Sequence, residues 1–317
     1  MANKLVKVDN LTYAGKEGQE IFSKSVYNLD IAQSGITLKD NVKGKEKIYT
    51  GEFGDSVWQA YTCPFTPEGE VILKEAFIEP VKIKVNMEEC YDAWADTYFV
   101  EQTKIALDGG IPQTFGDWFF EKLKYKMERE YQEIFWQGDK ERSAGTKKYL
   151  KVTDGIEKRL IADHASEITG GALTVENAIS LVEAVVMKGL EVAASQEVDT
   201  ENYSIFMNYA DVKLLEVALG KLTSGISNND KFSNYSMNGG RINIMGYDVI
   251  PTMCSRSTII FGPVKNIVLG FDTFDSHIEY RLIDMRETSG DNMFRVIAIT
   301  NIAVGEIFGD LFTVSHK

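Results

Sequence analysis

Cysteine and long apolar runs are both scarce in this chain. Only 3 of its 317 residues are cysteine, and they lie far apart and in no CxxC spacing, at Cys63, Cys90 and Cys254. Three isolated cysteines favour neither a disulfide framework nor a zinc site and are typical of a reducing cytoplasm. No run approaches the ~18 apolar residues that a membrane span requires, and the start, MANKLVKVDN, has no apolar signal-peptide core. We expect neither a membrane span nor export by a signal peptide.

Recognisable catalytic motifs are missing as well. The sequence contains no Walker loop and no GxGxxG, GxSxG, HExxH or EF-hand pattern. Its 3 histidines, His164, His277 and His316, are scattered, and a histidine without a positioned partner is a poor candidate for a catalytic base. We therefore predict no catalytic residue, no metal and no cofactor. A hydrolase built on paired carboxylates stays open, because such acids have no fixed spacing in a sequence.

The balance of charge is acidic, with 47 Asp and Glu residues against 34 Lys and Arg and a formal net charge of -13. Direct nucleic-acid binding needs clustered basic residues, so this balance argues against it. It does not argue against a container for nucleic acid, since a wall that repels phosphate leaves a strand free to move during loading. Acidity that keeps the protein soluble explains the charge equally well.

The strongest helical pattern lies between Thr114 and Gly138. Apolar residues recur there every four positions, and this buried stripe consists of Phe115, Phe119, Leu123, Met127, Tyr131 and Phe135, widened by Trp118 and Ile134. Charged residues such as Lys124 and Glu133 fill the other face. Thr114 and Asp117 predict a capping box, with Asp117 reaching back to the cap amide, and Gly138 predicts a left-handed end. The helix should be ~34 Å long.

The segment before this helix predicts an arm and a hairpin. Residues 1–44 show no sustained periodicity and read as an extended arm that becomes ordered by lying on something else. Residues 45–80 read as a β-hairpin-like excursion that carries the aromatic residues Phe53, Trp58, Tyr61 and Phe65. We predict that these aromatics contact another subunit. Burial in this chain's own core is the alternative.

The remaining patterns predict an α+β chain. Residues 81–87 alternate as a half-buried strand, residues 88–106 read as a helix with a solvated acidic face, and 149–156 as a short strand. A second region follows Gly170-Gly171, with helices at 174–196 and 210–219 and strands at 203–207, 242–244, 249–250 and 258–271, the last with a tight turn at Gly262-Pro263. Strands at 278–286 and 293–302 flank a turn at 288–291 and should complete the sheet begun by 81–87.

This order of parts resembles the major capsid proteins of tailed phages, whose fold is named after the Hong Kong ninety-seven phage. The succession of a long helix, Gly138-Asp139 and a returning "GI" segment is similar to the spine helix of that family. The closing stretch at 261–310, and its RLIDMRETSGD turn above all, is similar to capsid proteins of phages that infect Bacteroidota-type hosts. The resemblance implies an N-terminal arm at 1–44, an extended loop (E-loop) at 45–80, a peripheral domain at 81–165 and 278–317, and an axial domain at 166–277.

The resemblance also implies a function and partners. Family members self-assemble as hexamers and pentamers into an icosahedral shell that encloses double-stranded DNA without reading its sequence, so the expected location is the virion, after assembly in the host cytoplasm. The chain shows no long helical scaffold segment at its start, so a separate scaffolding protein is expected, together with a portal and possible decoration proteins. We expect no membrane partner.

Two other functions stay open at this point. The same fold serves as an encapsulin, the shell of a bacterial enzyme compartment, which holds a protein cargo instead of nucleic acid. From another class, a soluble α+β enzyme with an acidic site would form no particle.

Overall fold

The computed structural model describes residues 11–14, 34–53, 58, 60–61, 71–107, 114–143, 145, 147–163, 165–224, 235–238, 241–272, 279–286 and 289–316. Within these ranges the chain forms five α-helices, a six-stranded sheet, a seven-stranded sheet and a separate two-stranded hairpin. The arrangement is the α+β class that the sequence predicts.

The helices are α1 (Tyr91–Leu107), α2 (Phe115–Gln137), α3 (Ile156–Ala162), α4 (Ala178–Ser195) and α5 (Tyr209–Ser224). The strands are β1 (Leu11–Ala14), β2 (Thr37–Lys39), β3 (Glu46–Phe53), β4 (Val71–Ile78), β5 (Pro80–Cys90), β6 (Ser166–Thr169), β7 (Tyr203–Asn208), β8 (Tyr235–Asn238), β9 (Arg241–Ile244), β10 (Tyr247–Thr252), β11 (Ile259–Pro263), β12 (Ile267–Gly270), β13 (Glu279–Asp284), β14 (Met293–Glu306) and β15 (Thr313–His316). Short 3-10 helices cover Lys148–Lys151, Val264–Asn266 and Gly309–Leu311.

Helix α2 has the bounds that its sequence pattern predicts, and Thr114 is its N-cap, as predicted. The Thr114 hydroxyl accepts from the Asp117 amide at 3.2 Å and donates to the Asp117 carboxylate at 2.6 Å. Gly138 is not left-handed, with φ -53° and ψ 140°. A glycine is needed because a Cβ there would lie 2.3 Å from the Thr153 carbonyl oxygen.

The predicted apolar stripe of α2 lies inside the molecule. Phe115, Phe119, Leu123, Tyr131 and Phe135 are buried, and Met127 is partly buried against the same core. Trp118 and Ile134 are buried as well.

Helix α2 buries more of its second half than the stripe predicts. Glu133, expected on the wet face, is 5% exposed, because Lys147 and Tyr149 from the following loop fold over it. Gln132 and Trp136 are also buried. The Tyr131 hydroxyl donates to the Asn301 carbonyl oxygen at 3.1 Å, which ties α2 to strand β14.

The six-stranded sheet is built around β14, the longest strand. Its order is β1-β13-β14-β12-β2, and β5 pairs with β14 in antiparallel register from Pro80 opposite Ala303 to Cys90 opposite Met293. The closing pair β13–β14 therefore completes the sheet begun by β5, as predicted. Two pieces of the predicted arm, β1 and β2, add to this sheet on β13 and β12.

The seven-stranded sheet has the order β6-β15-β11-β7-β10-β9-β8, and α4 and α5 pack on it. The β9–β10 hairpin turns at Met245 and Gly246, whose φ angles are 54° and 92°. Strand β11 continues through Gly262 and Pro263, so the predicted turn at that pair is wrong, and the chain turns at Val264–Asn266 before it enters the other sheet as β12. Strand β15 joins this second sheet, whereas the resemblance implies that 278–317 belongs to the peripheral domain.

Two further predictions from the sequence need correction. Residues 149–156 form no strand; the segment begins in the 3-10 helix Lys148–Lys151, and the Leu150 carbonyl accepts from the Asp139 amide at 2.7 Å. Residues 88–90 belong to β5 and not to the following helix, because they pair with the start of β14.

Candidate interaction surface

Strands β3 and β4 form a hairpin that stands apart from both large sheets. Their antiparallel register runs from Glu46 opposite Ile78 to Phe53 opposite Val71. Residues directly opposite each other point to the same face. The outer hairpin face therefore carries the exposed residues Lys47, Tyr49, Gly51, Val71, Leu73, Glu75 and Phe77.

Much of the outer hairpin face is apolar and exposed in the single chain. Tyr49 is 63% exposed, Val71 61% and Leu73 70%. A few charged groups border these residues: the Lys47 ammonium lies 2.7 Å from the Glu75 carboxylate, and the Lys45 ammonium lies 4.4 Å from the centre of the Phe77 ring. An apolar strip with a polar border is typical of a contact surface.

The base of the hairpin is fixed to the first sheet by Ile78. This side chain is fully buried in a small cluster with Val42, Val268 and Ala303. Its space exists because residue 305 is glycine: a Cβ at Gly305 would lie 2.5 Å from the Ile78 side chain. The hairpin therefore leaves the sheet from a closely packed base.

A partly buried ion pair adds to this base. The Arg159 guanidinium on α3 pairs with the Glu306 carboxylate at the end of β14 and also donates to the Phe77 carbonyl oxygen at 3.1 Å. Burial raises the pKa of Glu306, while Arg159 opposes the shift. Arg159 thus joins α3, the end of β14 and the end of β4.

Two of the predicted contact residues, Trp58 and Tyr61, follow strand β3. Trp58 is 93% exposed and Tyr61 94% exposed, so neither tucks into the core of this chain. Phe53 ends strand β3, and its side chain lies outside the described residues, as does Phe65 altogether. The alternative of burial in the chain's own core is wrong for Trp58 and Tyr61.

Ionisable groups inside the molecule have structural partners. Asp211, fully buried, accepts from the Arg256 guanidinium at 2.7 Å and from the Ser257 amide at 2.6 Å. Glu157 accepts from the Ser255 amide and hydroxyl, and burial raises the pKa of Glu157 to about 7. Both carboxylates join helices to the loop that follows β10.

Signs of catalysis are weak in the described part of the chain. No group of three or more His, Cys, Asp and Glu side chains there could hold a metal ion. Cys254 is buried, and burial raises the pKa of its thiol, which disfavours the thiolate that a nucleophile needs. His316 contacts Glu167 at 2.8 Å near the end of the chain, while His164, His277 and Cys63 lie outside the described residues. No helix in the described ranges is long and apolar enough to cross a membrane.

An open polar cleft lies beside the seven-stranded sheet. It measures about 760 Å³ and is lined by residues of the 200–204 and 243–248 segments and by Ser34 and Gly35 of the arm. The Tyr247 hydroxyl donates to the Thr200 hydroxyl at 3.0 Å within it. The charged residues of its lining are Glu201, Asp248 and Lys265.

Solved structures resemble this chain over nearly its whole length. No protein-family model matches it, and no curated protein does. The satellite phage P4 procapsid including size determination (Sid) protein matches with a TM-score of 0.57 and 13% identity, covering 94% of this chain and 98% of that chain. The capsid of Myoviridae phage XM1 matches with a TM-score of 0.53 and 12% identity, covering 91% of each chain.

A third match is the capsid of the empty GTA particle, with a TM-score of 0.50 and 14% identity, covering 90% of this chain and 89% of that chain. The shared feature at these identities is the fold, and it extends over nine-tenths or more of this chain.

Proposed function

We propose that this chain, which has the fold of tailed-phage major capsid proteins, is itself a major capsid protein that assembles as hexamers and pentamers into an icosahedral shell around a double-stranded DNA genome. The observation that supports this most is the extent of the structural similarity, which covers 94% of this chain and 98% of a procapsid chain. The part of the chain outside the similarity is too small to form a further domain with a different activity. The proposed role is structural and not enzymatic.

The proposed domain layout follows the same fold. Residues 1–44 form the N-terminal arm, 45–80 the E-loop, 81–165 and 278–317 the peripheral domain around α2, and 166–277 the axial domain. Two strands pair across this division: β15 pairs with β6 and β11 in the seven-stranded sheet, and β12 pairs with β14 in the six-stranded sheet.

The hairpin is proposed to act between subunits. Its outer face exposes Tyr49, Val71 and Leu73, and Trp58 and Tyr61, which follow β3, are exposed as well. Aromatic residues buried at the centre of an interface contribute most of the binding free energy in protein contacts. Packing of Phe53, Trp58, Tyr61 and Phe65 on a neighbouring subunit would remove this apolar surface from water.

Particle formation by the purified chain tests the proposal. The chain is expressed alone and together with a scaffolding protein from the same source, and fast-sedimenting material is examined by negative-stain microscopy. Closed shells or ring-shaped capsomers are expected. A folded chain that stays a monomer under both conditions would contradict the proposal, and shells filled with a protein cargo would point to an encapsulin. The scaffold, portal and any decoration protein are proposed partners that this experiment can identify.

A further inference from the structure

Helix α1 is covered on one side only. Tyr91 and Gln102 are buried, and Trp94 and Tyr98 pack against Phe115 and other residues at the start of α2. The opposite side faces outward, and two large apolar residues there are exposed: Val100 by 56% and Leu107 by 81%.

The apolar residues of α1 are distributed around the helix instead of lying on one side. A helix with a single contact normally keeps its apolar residues on that contact and polar residues elsewhere. Apolar residues on two opposite sides therefore indicate two contacts. Helix α2 supplies the first, and the second lies outside the described part of a single chain.

One stripe of apolar residues runs along the outward side of α1. Ala93, Val100 and Leu107 recur every seven residues and form one stripe, with Asp96 and Lys104 beside it; all five are exposed. Asp96 and Lys104 are both four residues from Val100, and Ala93 and Leu107 are both seven residues from it. The stripe is therefore self-complementary about Val100.

We propose that the outward side of α1 is a two-fold contact with a second copy of this chain, in which two α1 helices pack antiparallel with Val100 at the centre. Under two-fold symmetry about Val100, each residue faces the residue of the other copy that is equally far from Val100 in the opposite direction along the sequence. Asp96 then faces Lys104 of the other copy, twice over, and Ala93 faces Leu107. Residues 96 and 104 are ~12 Å apart along the helix, so both ion pairs form at once.

This inference rests on the proposed function, because a closed icosahedral shell contains two-fold axes at which such a pair repeats. One helix pair covers less surface than a standard stable interface does. The contact is therefore expected to contribute through repetition in an assembly and not to hold a free dimer together.

A cysteine at the symmetry centre tests the pairing. Val100→Cys is made in the full chain with Cys63→Ser and Cys90→Ser, while buried Cys254 is left in place. Tyr125→Cys, at a position on α2 that is 73% exposed, is the matched control. Assembled particles are oxidised mildly or treated with a short bismaleimide and run on a denaturing gel. Val100→Cys should give about tenfold more covalent dimer than Tyr125→Cys; equal amounts would overturn the inference.

Charge reversal supplies a second readout. Asp96→Lys places two lysines opposite each other at both ends of the pair and should reduce the dimer formed by Val100→Cys about tenfold. Adding Lys104→Asp exchanges both charges and should restore the dimer. A double variant as poor as the single variant would overturn the inference, since the effect would then not come from Asp96–Lys104 pairing.

The outcomes separate this inference from the proposed function. Shells that form without a Val100→Cys dimer contradict the α1 pair and leave the capsid role intact. If no particle forms under any condition, the capsid role fails, and the α1 pair, which rests on it, fails with it.

Discussion

Single residues inside the helix–sheet core decide whether this chain folds. Leu123 is 8% exposed and packs with Phe119 and Phe294, while Tyr125, two residues on, is 73% exposed. The two positions lie on the same helix but in opposite environments. They therefore allow one introduced charge to be compared inside and outside the core.

Leu123→Asp should lower the free energy of unfolding by several kcal/mol, because it puts an unpaired carboxylate among aromatic side chains. Tyr125→Asp, which adds the same charge on the exposed face, should change it by less than about 1 kcal/mol. Urea unfolding followed by circular dichroism measures both. Similar losses in the two variants would show that the orientation of α2 is wrong.

Glu157 makes stability depend on pH. Burial raises its pKa from an ordinary 4.5 to about 7, so between these values the folded state holds a proton that the unfolded state has released. The contribution of Glu157 to the free energy of unfolding is therefore fully present below about pH 4.5. It falls by about 3 kcal/mol in total as the pH rises toward 7.

The Glu157→Gln variant tests this pH dependence. Its amide does not titrate, so its unfolding free energy should fall less between pH 5 and pH 8 than that of the unmodified chain. Urea unfolding of unassembled subunits at the two pH values gives both slopes. Equal slopes would mean that Glu157 keeps an ordinary pKa.

At the scale of elements, the packing of Ile78 against Gly305 sets where the hairpin leaves the sheet. Gly305→Ala places a Cβ 2.5 Å from the Ile78 side chain. We expect a loss of about 1–3 kcal/mol and faster hydrogen exchange of β3 and β4, since the base must shift. Gly44→Ala, with no atom within 4 Å of its Cβ, is the control. If the two variants exchange alike, the hairpin base is not held by this contact.

The elements also show how far the sequence predicts the fold. Helix α2 is predictable in its bounds because its N-cap and its apolar stripe act locally, whereas the need for glycine at 138 comes from the Thr153 carbonyl. The 3-10 helix Lys148–Lys151 is not predictable from local sequence, because it depends on the hydrogen bond from the Asp139 amide to the Leu150 carbonyl oxygen. The burial of Glu133 depends on Lys147 and Tyr149 in the same way.

The hairpin and α1 differ in how much of their contacts could be foreseen. The aromatic residues of 45–80 stand out in the sequence because they occur among glycines without a core of their own. The register of β3 with β4 could not be predicted from the sequence, because the connection between the two strands is too long to fix which residues pair. The outward stripe of α1 was hidden, because the inward Tyr91, Trp94 and Tyr98 form the more obvious pattern.

At the scale of the whole molecule, the exposed aromatics belong to contacts that a single chain does not make. Trp58→Ser should leave the subunit folded, with its unfolding free energy within about 0.5 kcal/mol of the original, because Trp58 is 93% exposed. Capsomers should form poorly and closed shells rarely, since a loss of about 1–2 kcal/mol per contact is repeated at every interface.

Sedimentation and negative-stain microscopy measure assembly of the Trp58→Ser protein, and Tyr125→Ser serves as a control that removes an exposed aromatic from α2. Normal shells from both variants would show that Trp58 does not join subunits. Unfolding of the Trp58→Ser subunit would assign Trp58 to the core of its own chain.

Cryo-electron microscopy of the assembled particle tests the central claim most directly. The account predicts a closed icosahedral shell in which residues 46–78 of each subunit lie across a neighbouring subunit, with Trp58 and Tyr61 buried between the two. A particle in which the hairpin folds back on its own subunit would contradict it, and so would a purified chain that stays monomeric with a scaffolding protein present.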